Sequence, residues 1–264
     1  MLAAEKAYVA KIIDTVGDLP NVLFEVSNES VNDGSTFQWQ DNIAQFVKAY
    51  EAQKGYAPHP IGITAPYPGG DSNVNATTLI PDPNSDWTSP YGWYSYQSSP
   101  PDAPGNKPLI ADTDHIGGGL GADWVWQMFT RGYNVAYMDD MGGSGLADPA
   151  LGNNSGNYGS EISARLGIQE TVRAAQQFNL ADMLPNDSLS TTGYALANAV
   201  KGEFVVFAPQ GGQFGVDLSG SSGTLNAQWV NVATGSFTSA GQVQGGGYHS
   251  FTAPDSADAL LLHH

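Results

Sequence analysis

Cysteine is absent from the 264 residues, so neither a disulfide framework nor a thiolate nucleophile or zinc-thiolate centre is open to this chain. Basic residues are scarce, 9 Lys and Arg against 26 Asp and Glu, and the formal charge is -17. A polyanion such as nucleic acid is therefore repelled at neutral pH, whereas a neutral glycan is not. No run of eighteen apolar residues occurs, and the N-terminus lacks the basic, apolar and small-residue succession of a secretory signal. The sequence thus predicts neither a membrane span nor an export tag of its own. Familiar ligand motifs are missing too. There is no EF-hand loop and no His-Glu-x-x-His, and Gly117-Gly-Gly-Leu-Gly121 lacks the Lys-Ser/Thr that completes a phosphate cradle.

What is present begins with an amphipathic helix over Met1 to Gly17, whose apolar positions Leu2, Val9, Ile12, Ile13 and Val16 follow the helical period. The segment Asn21-Val-Leu-Phe-Glu-Val-Ser-Asn-Glu29 then reads as a strand. Val22, Phe24 and Val26 share one face, and the polar run from Ser27 to Asp33 marks the strand's C-terminal end. Phe37 to Gly55 carries Trp39, Ile43, Phe46, Val47 and Tyr50 at helical spacing, with Gly55 placed to stop it. Pro60-Ile-Gly-Ile-Thr64 reads as the next strand.

From Pro66 to Lys107 the chain is rich in Pro, Gly, Asn, Asp and Ser, and loops of that length in compact domains are commonly functional. Trp87, Tyr91, Trp93, Tyr94 and Tyr96 offer flat faces for stacking on sugar rings. They serve equally to pack the loop, and Trp87-Thr-Ser-Pro90 contains a short strand of its own. Ile162 to Phe178 reads as a helix with Leu166, Val172 and Ala175 facing inward. From Leu189 onward, short β runs separated by Gly, Asn and Asp indicate a β-sandwich.

The Asn28-Glu29 pair at a strand end resembles the acid/base strand, the fourth, of TIM-barrel glycoside hydrolases related to apiosidases and cellulase-like enzymes. Lys107-Pro-Leu-Ile-Ala-Asp-Thr-Asp-His115, Trp124-Val-Trp-Gln-Met-Phe-Thr-Arg-Gly132 and Asn134-Val-Ala-Tyr-Met-Asp-Asp140 resemble strand seven, helix seven and strand eight of that group. The resemblance implies an α/β plus all-β chain: a partial TIM-type β/α barrel over residues 1–184, lacking strands one to three, followed by a β-sandwich over residues 185–264. Complete barrels of this class run to about 250 residues. An open edge of that kind is expected to be closed by association, making the protein a homo-oligomer. The β-sandwich resembles the small C-terminal domain of these enzymes that has been labelled collagen-binding, and its apolar alternation favours a structural cap.

Glycoside cleavage needs one carboxyl to protonate the leaving oxygen and a second to attack the anomeric carbon or activate water, about 5 to 5.5 Å apart for retention and farther for inversion. By resemblance, Glu29 is the acid/base, Asn28 holds the sugar beside the scissile bond and Asp114 stands where relatives place the nucleophile. Most of that clan carries Glu there. Asp112 and Asp114 are expected to alternate onto one side of strand seven. Trp87, Trp93, His115, Asp139 and Asp140 complete the expected substrate-binding set, and Glu25, about 13 Å below Glu29, reads as a structural partner. Asp112, Asp114, His115, Asp139 and Asp140 also suffice on paper for a divalent ion, although without diagnostic spacing, and no cofactor is expected. The resemblance implies a carbohydrate substrate and an extracellular setting. A non-catalytic carbohydrate-binding or structural remnant is the alternative.

Overall fold

The computed structural model describes residues 2–32, 34–65, 78–90, 93–116, 120–137 and 158–264. Two compact units emerge: Met1–Trp93 with Lys107–Ile110, and Tyr94–Asn106 with Ala111–His264.

The first unit opens with α1 (Leu2–Val16), followed by β1 (Phe24–Glu25), α2 (Thr36–Lys54), β2 (Ile61–Thr64) and β3 (Trp87–Ser89). α2 ends as its sequence dictates. Gly55 adopts the left-handed conformation at φ 72°, and the Gly55 and Tyr56 amides donate to the Ala52 and Glu51 carbonyls, satisfying carbonyls the helix leaves open. Strands β1 to β3 pair in parallel, and Thr88 of β3 pairs with Leu109 of β4 (Leu109–Asp112). The sheet order is β1-β2-β3-β4-β5, and the unit boundary falls within β4. Ile61 and Ile63 pack with Ile13 of α1 and with Ile43, Ala44 and Val47 of α2. Phe24 and Val26 join that cluster, as their alternation requires. The strand itself is shorter than the Asn21–Glu29 pattern predicts, with only Phe24 and Glu25 on the ladder, opposite Ile61 and Gly62. Beneath it lies a buried ion pair. His59 Nδ1 stands 2.6 Å from Glu51 Oε1 and its Nε2 2.9 Å from the Leu19 carbonyl, so both ring nitrogens face acceptors.

The second unit holds the helices α3 (Trp93–Ser98), α4 (Thr113–Ile116), α5 (Ala122–Thr130) and α6 (Tyr158–Ala175), with β5 (Tyr133–Ala136) between the last two. The strands β6 (Leu184–Pro185), β7 (Ala195–Asn198), β8 (Glu203–Ala208), β9 (Gly212–Asp217), β10 (Thr224–Asn231), β11 (Ser236–Gln244), β12 (Tyr248–Ala253) and β13 (Asp258–His263) follow. They form a six-stranded sheet of order β11-β10-β13-β8-β7-β6 and a two-stranded sheet of β12 and β9. The core between them holds Phe204, Val206, Leu260 and Leu262 together with Phe214 and Val216. The alternate residues Val205, Phe207 and Leu261 pack instead with Trp126 and Phe129 of α5 and Ala174 of α6. β8 and β13 are therefore apolar on both faces.

The face that α6 buries differs from the expected one. Val172 is half exposed, while Ala164, Gly167, Thr171 and Ala174 form the buried stripe. Close approach explains this. A Cβ added to Gly167 would lie 2.8 Å from Ala122 Cα, and the Ala122 amide donates to Ser163 Oγ at 3.0 Å, so small residues set the α5–α6 contact where side-chain size suggested larger ones. Arg173 lies over the Phe237 ring at 4.0 Å and donates to the Gly235 carbonyl at 3.1 Å. Among the described residues no helix is long and apolar enough to cross a membrane.

Candidate active site

In the first unit, Asn28 and Glu29 are exposed on the segment leaving β1. Glu29 has φ 44°, the one left-handed backbone among the described residues that are not glycine. A side chain there crowds the following carbonyl, at roughly 1–2 kcal/mol, and such conformations persist where the surroundings hold them. Here three side chains do so. Thr64 Oγ1 donates to the Ser27 carbonyl just before the pair, Gln40 Nε2 reaches Ser30 Oγ at 3.3 Å just after it, and Thr36 Oγ1 donates to the Val31 carbonyl.

Gln40 is wholly buried and also closes the end of β2, accepting from the Thr64 amide at 3.0 Å and donating to the Thr64 carbonyl at 2.9 Å. One amide side chain thus satisfies a strand end and braces the turn that carries the candidate carboxylate. No sequence pattern singled out Gln40, although a polar residue on the stripe shared with Ile43, Ala44 and Val47 is the signal that could have done so.

Trp87 belongs to the same unit but is 6% exposed. Its ring covers Gly62, where an added Cβ would stand 2.1 Å from Cε2, so the glycine is required by the indole lying across the strand. Its register opposite Gly62 places it level with Glu25 across the sheet.

In the second unit, Asp112 is the last residue of β4 and is half-buried. The chain turns helical at Thr113, so Asp114 and His115 stand on α4 and do not continue the strand alternation expected of Asp112 and Asp114. The side chains of Asp114, His115 and Trp93 lie outside the described residues, as do Asp139 and Asp140 and residues 66–77 of the Pro66–Lys107 stretch. Gln97 of α3 donates to the Ile116 carbonyl at 2.5 Å, and Trp124 Nε1 donates to the Tyr96 carbonyl at 2.8 Å, which ties α3 to the C-terminal end of α4 and to α5. Tyr96 is buried edge-on against Tyr133, a packing role.

Among the described residues no set of three or more His, Asp and Glu side chains is gathered as a metal site. The most perturbed carboxyl lies elsewhere. Glu170 of α6 is fully buried, and burial pushes it up to about 7 against the opposing hydrogen bond from Trp126 Nε1 at 2.8 Å.

In comparisons with known proteins, residues 181–262 match the family model described as "Putative collagen-binding domain of a collagenase". No curated protein matches the sequence. Among solved structures, a glycoside hydrolase is 18% identical with a TM-score of 0.66 over 98% of this chain and 68% of its own. A glycoside hydrolase family 5 protein from Bacteroides vulgatus is 15% identical with a TM-score of 0.67, covering 98% of this chain and 65% of its own. The catalytic domain of the GH30 xylanase C from Talaromyces cellulolyticus is 12% identical with a TM-score of 0.54, covering 98% and 67%. The chain thus spans about two thirds of the length of the structures it matches. At these identities the likeness is one of fold, and the fold resembled is that of TIM-barrel glycoside hydrolases.

Proposed function

We propose that this chain is a glycoside hydrolase acting on plant or microbial polysaccharide or oligosaccharide by a two-carboxylate mechanism. Residues 1–184 correspond in this reading to the later part of a TIM-type barrel and residues 185–264 to its β-sandwich. The observation that carries it is the braced turn after β1, where Glu29 is held exposed in a left-handed conformation at the C-terminal end of a parallel strand, the side on which barrel enzymes place their chemistry. The fold likeness to glycoside hydrolases supports it.

Glu29 protonates the glycosidic oxygen as it leaves. Asp114 either attacks the anomeric carbon, after which Glu29 takes the proton from the water that releases the sugar, or itself takes the proton from a water that attacks from the other face. Asn28 holds the sugar beside the scissile bond, and Trp87, Trp93, His115, Asp139 and Asp140 line the sugar subsites, Trp87 as a floor. The protein works outside the cell, and a second copy of the chain completes the barrel next to β1.

Hydrolysis of aryl β-glycosides and soluble β-glucans tests the reading, with Glu29→Gln and Asp114→Asn alongside wild type. Turnover that both substitutions lower by at least about a thousandfold supports it. Wild-type inactivity on every substrate, with the fold intact, hands the chain to the non-catalytic reading.

A further inference from the structure

The sheet of β9 and β12 pairs Tyr248 with Asp217, Ser250 with Gly215 and Thr252 with Gln213, so these side chains share one face. The opposite face carries Phe214, Val216 and Phe251 into the sandwich core. The outward row is polar except for Tyr248, which is 65% exposed. Its phenol lies across Gly215, where an added Cβ would stand 1.6 Å from Oη and 2.1 Å from Cζ. One side of the ring is seated on bare backbone, and the rest of it is turned to solvent.

Shielding a strand glycine accounts for where the ring sits. It does not account for the groups around it. Gln213 Nε2 donates to Ser250 Oγ at 3.0 Å, Thr252 adds a hydroxyl, and Asp217 adds a carboxylate directly across from the tyrosine. Asp217 is kept below the usual carboxylate range by the Ser219 hydroxyl and amide, so it stays an acceptor. A flat ring with a negative π face, edged by amide, hydroxyl and carboxylate, matches a sugar: ring C–H groups on the aromatic face, hydroxyls on the polar edge. From Tyr248 to Thr252 the row runs about 13 Å, room for more than one sugar ring. Neither strand contains Lys or Arg, so an anionic polymer finds no counter-charge there.

We propose that the Tyr248–Gly215 face of the β-sandwich is a neutral-glycan binding platform separate from the candidate active site. Its ligand class rests on the glycoside hydrolase reading, and the residues are its own. The platform would keep the chain on a polysaccharide while the carboxylates work elsewhere.

Electrophoresis of the full chain through native gels containing arabinoxylan, xyloglucan or mixed-linkage β-glucan tests it, beside co-sedimentation with fibrillar type I collagen. Wild type is expected to be retarded in at least one gel. Tyr248→Ala should weaken that binding on the order of tenfold at unchanged melting temperature. Tyr248→Phe should keep most of it, and Gln213→Ala, which leaves the ring in place, should weaken it in part. Retardation of a wild-type chain that shows no turnover on any substrate upholds the platform while the catalytic reading fails. No retardation in any gel, retardation indifferent to Tyr248→Ala, or Tyr248-dependent sedimentation with collagen alone each overturns the proposal.

Discussion

Glu170 makes the cost of a buried carboxyl measurable. Oε2 accepts from Trp126 while Oε1 has no partner, and Arg173, the near cation, is already engaged with Phe237 and Gly235. The neutral acid is favoured in the folded chain because burial raises its pKa from 4.5 to about 7, with Asp123 adding to the rise and Trp126 and Arg173 opposing it. Between those values the folded state holds a proton that the unfolded state has lost, so stability falls as pH rises. The loss reaches about 3 kcal/mol above pH 7. Chemical denaturation from pH 4 to 9 should show it, and Glu170→Gln should flatten that part of the profile. The His59 imidazole is raised by the Glu51 carboxylate and then by the Leu19 carbonyl, against desolvation. Its contribution is fully present below the ordinary histidine value of 6.5 and fades as pH climbs through the folded value. Glu51→Ala should cost about 3–5 kcal/mol, read from denaturant midpoints at pH 6, because it strands a buried imidazolium. Neither group was legible in the sequence. A lone Glu on a helix or a His before a strand carries no sign of its partner, which only the packing of distant segments supplies.

At the scale of elements, legibility followed periodicity. Gly55 ended α2 where the chain shows it, and the Trp87-Thr-Ser-Pro90 pattern became β3. The runs Phe204-Val-Val-Phe-Ala208 and Ala259-Leu-Leu-Leu262 signalled strands, and their lack of polar alternation is explained by burial on both faces. The shortness of β1 and the helical turn at Thr113 stayed hidden, because strand ends depend on which carbonyls find partners across the sheet. Gln40 shows how. Replacing it by Ala should lower stability by about 1–3 kcal/mol by leaving the Thr64 amide and carbonyl unpaired. If the braced turn positions Glu29, Gln40→Ala should also reduce kcat per folded molecule, whereas purely structural damage lowers only the folded fraction and leaves kcat normalised to folded protein, and KM, unchanged. Gly62→Ala should likewise destabilise by about 1–3 kcal/mol, since the indole of Trp87 has no room to yield.

For the whole molecule, the contact of Trp126, Phe129 and Ala174 with Val205, Phe207 and Leu261 makes α5, α6 and the β-sandwich a single packed body. A chain truncated after residue 184 would expose that apolar face. It should lose its cooperative thermal transition and bind a hydrophobic dye, a result readable by calorimetry and fluorescence. The composition change near Leu189 revealed a second kind of structure, and its apolar alternation favoured a structural cap, but which residues make the attachment was not legible. The packing uses alternate residues of β8 and β13, whose outward positions look like those facing inward. Arg131 closes the same body, with its guanidinium on Asp102 and Asp187 and over the Tyr194 ring at 4.8 Å.

The backbone at Glu29 bears on inheritance as well as on chemistry. Glycine or asparagine fits φ 44° at less cost than glutamate, so Glu29→Gly should melt no lower than Glu29→Gln and is expected to melt higher. A lineage relieved of catalysis would therefore drift toward those residues at this position, because nothing in folding opposes the exchange. Were Glu29 the acid/base, catalysis alone would have to hold the glutamate there against that drift.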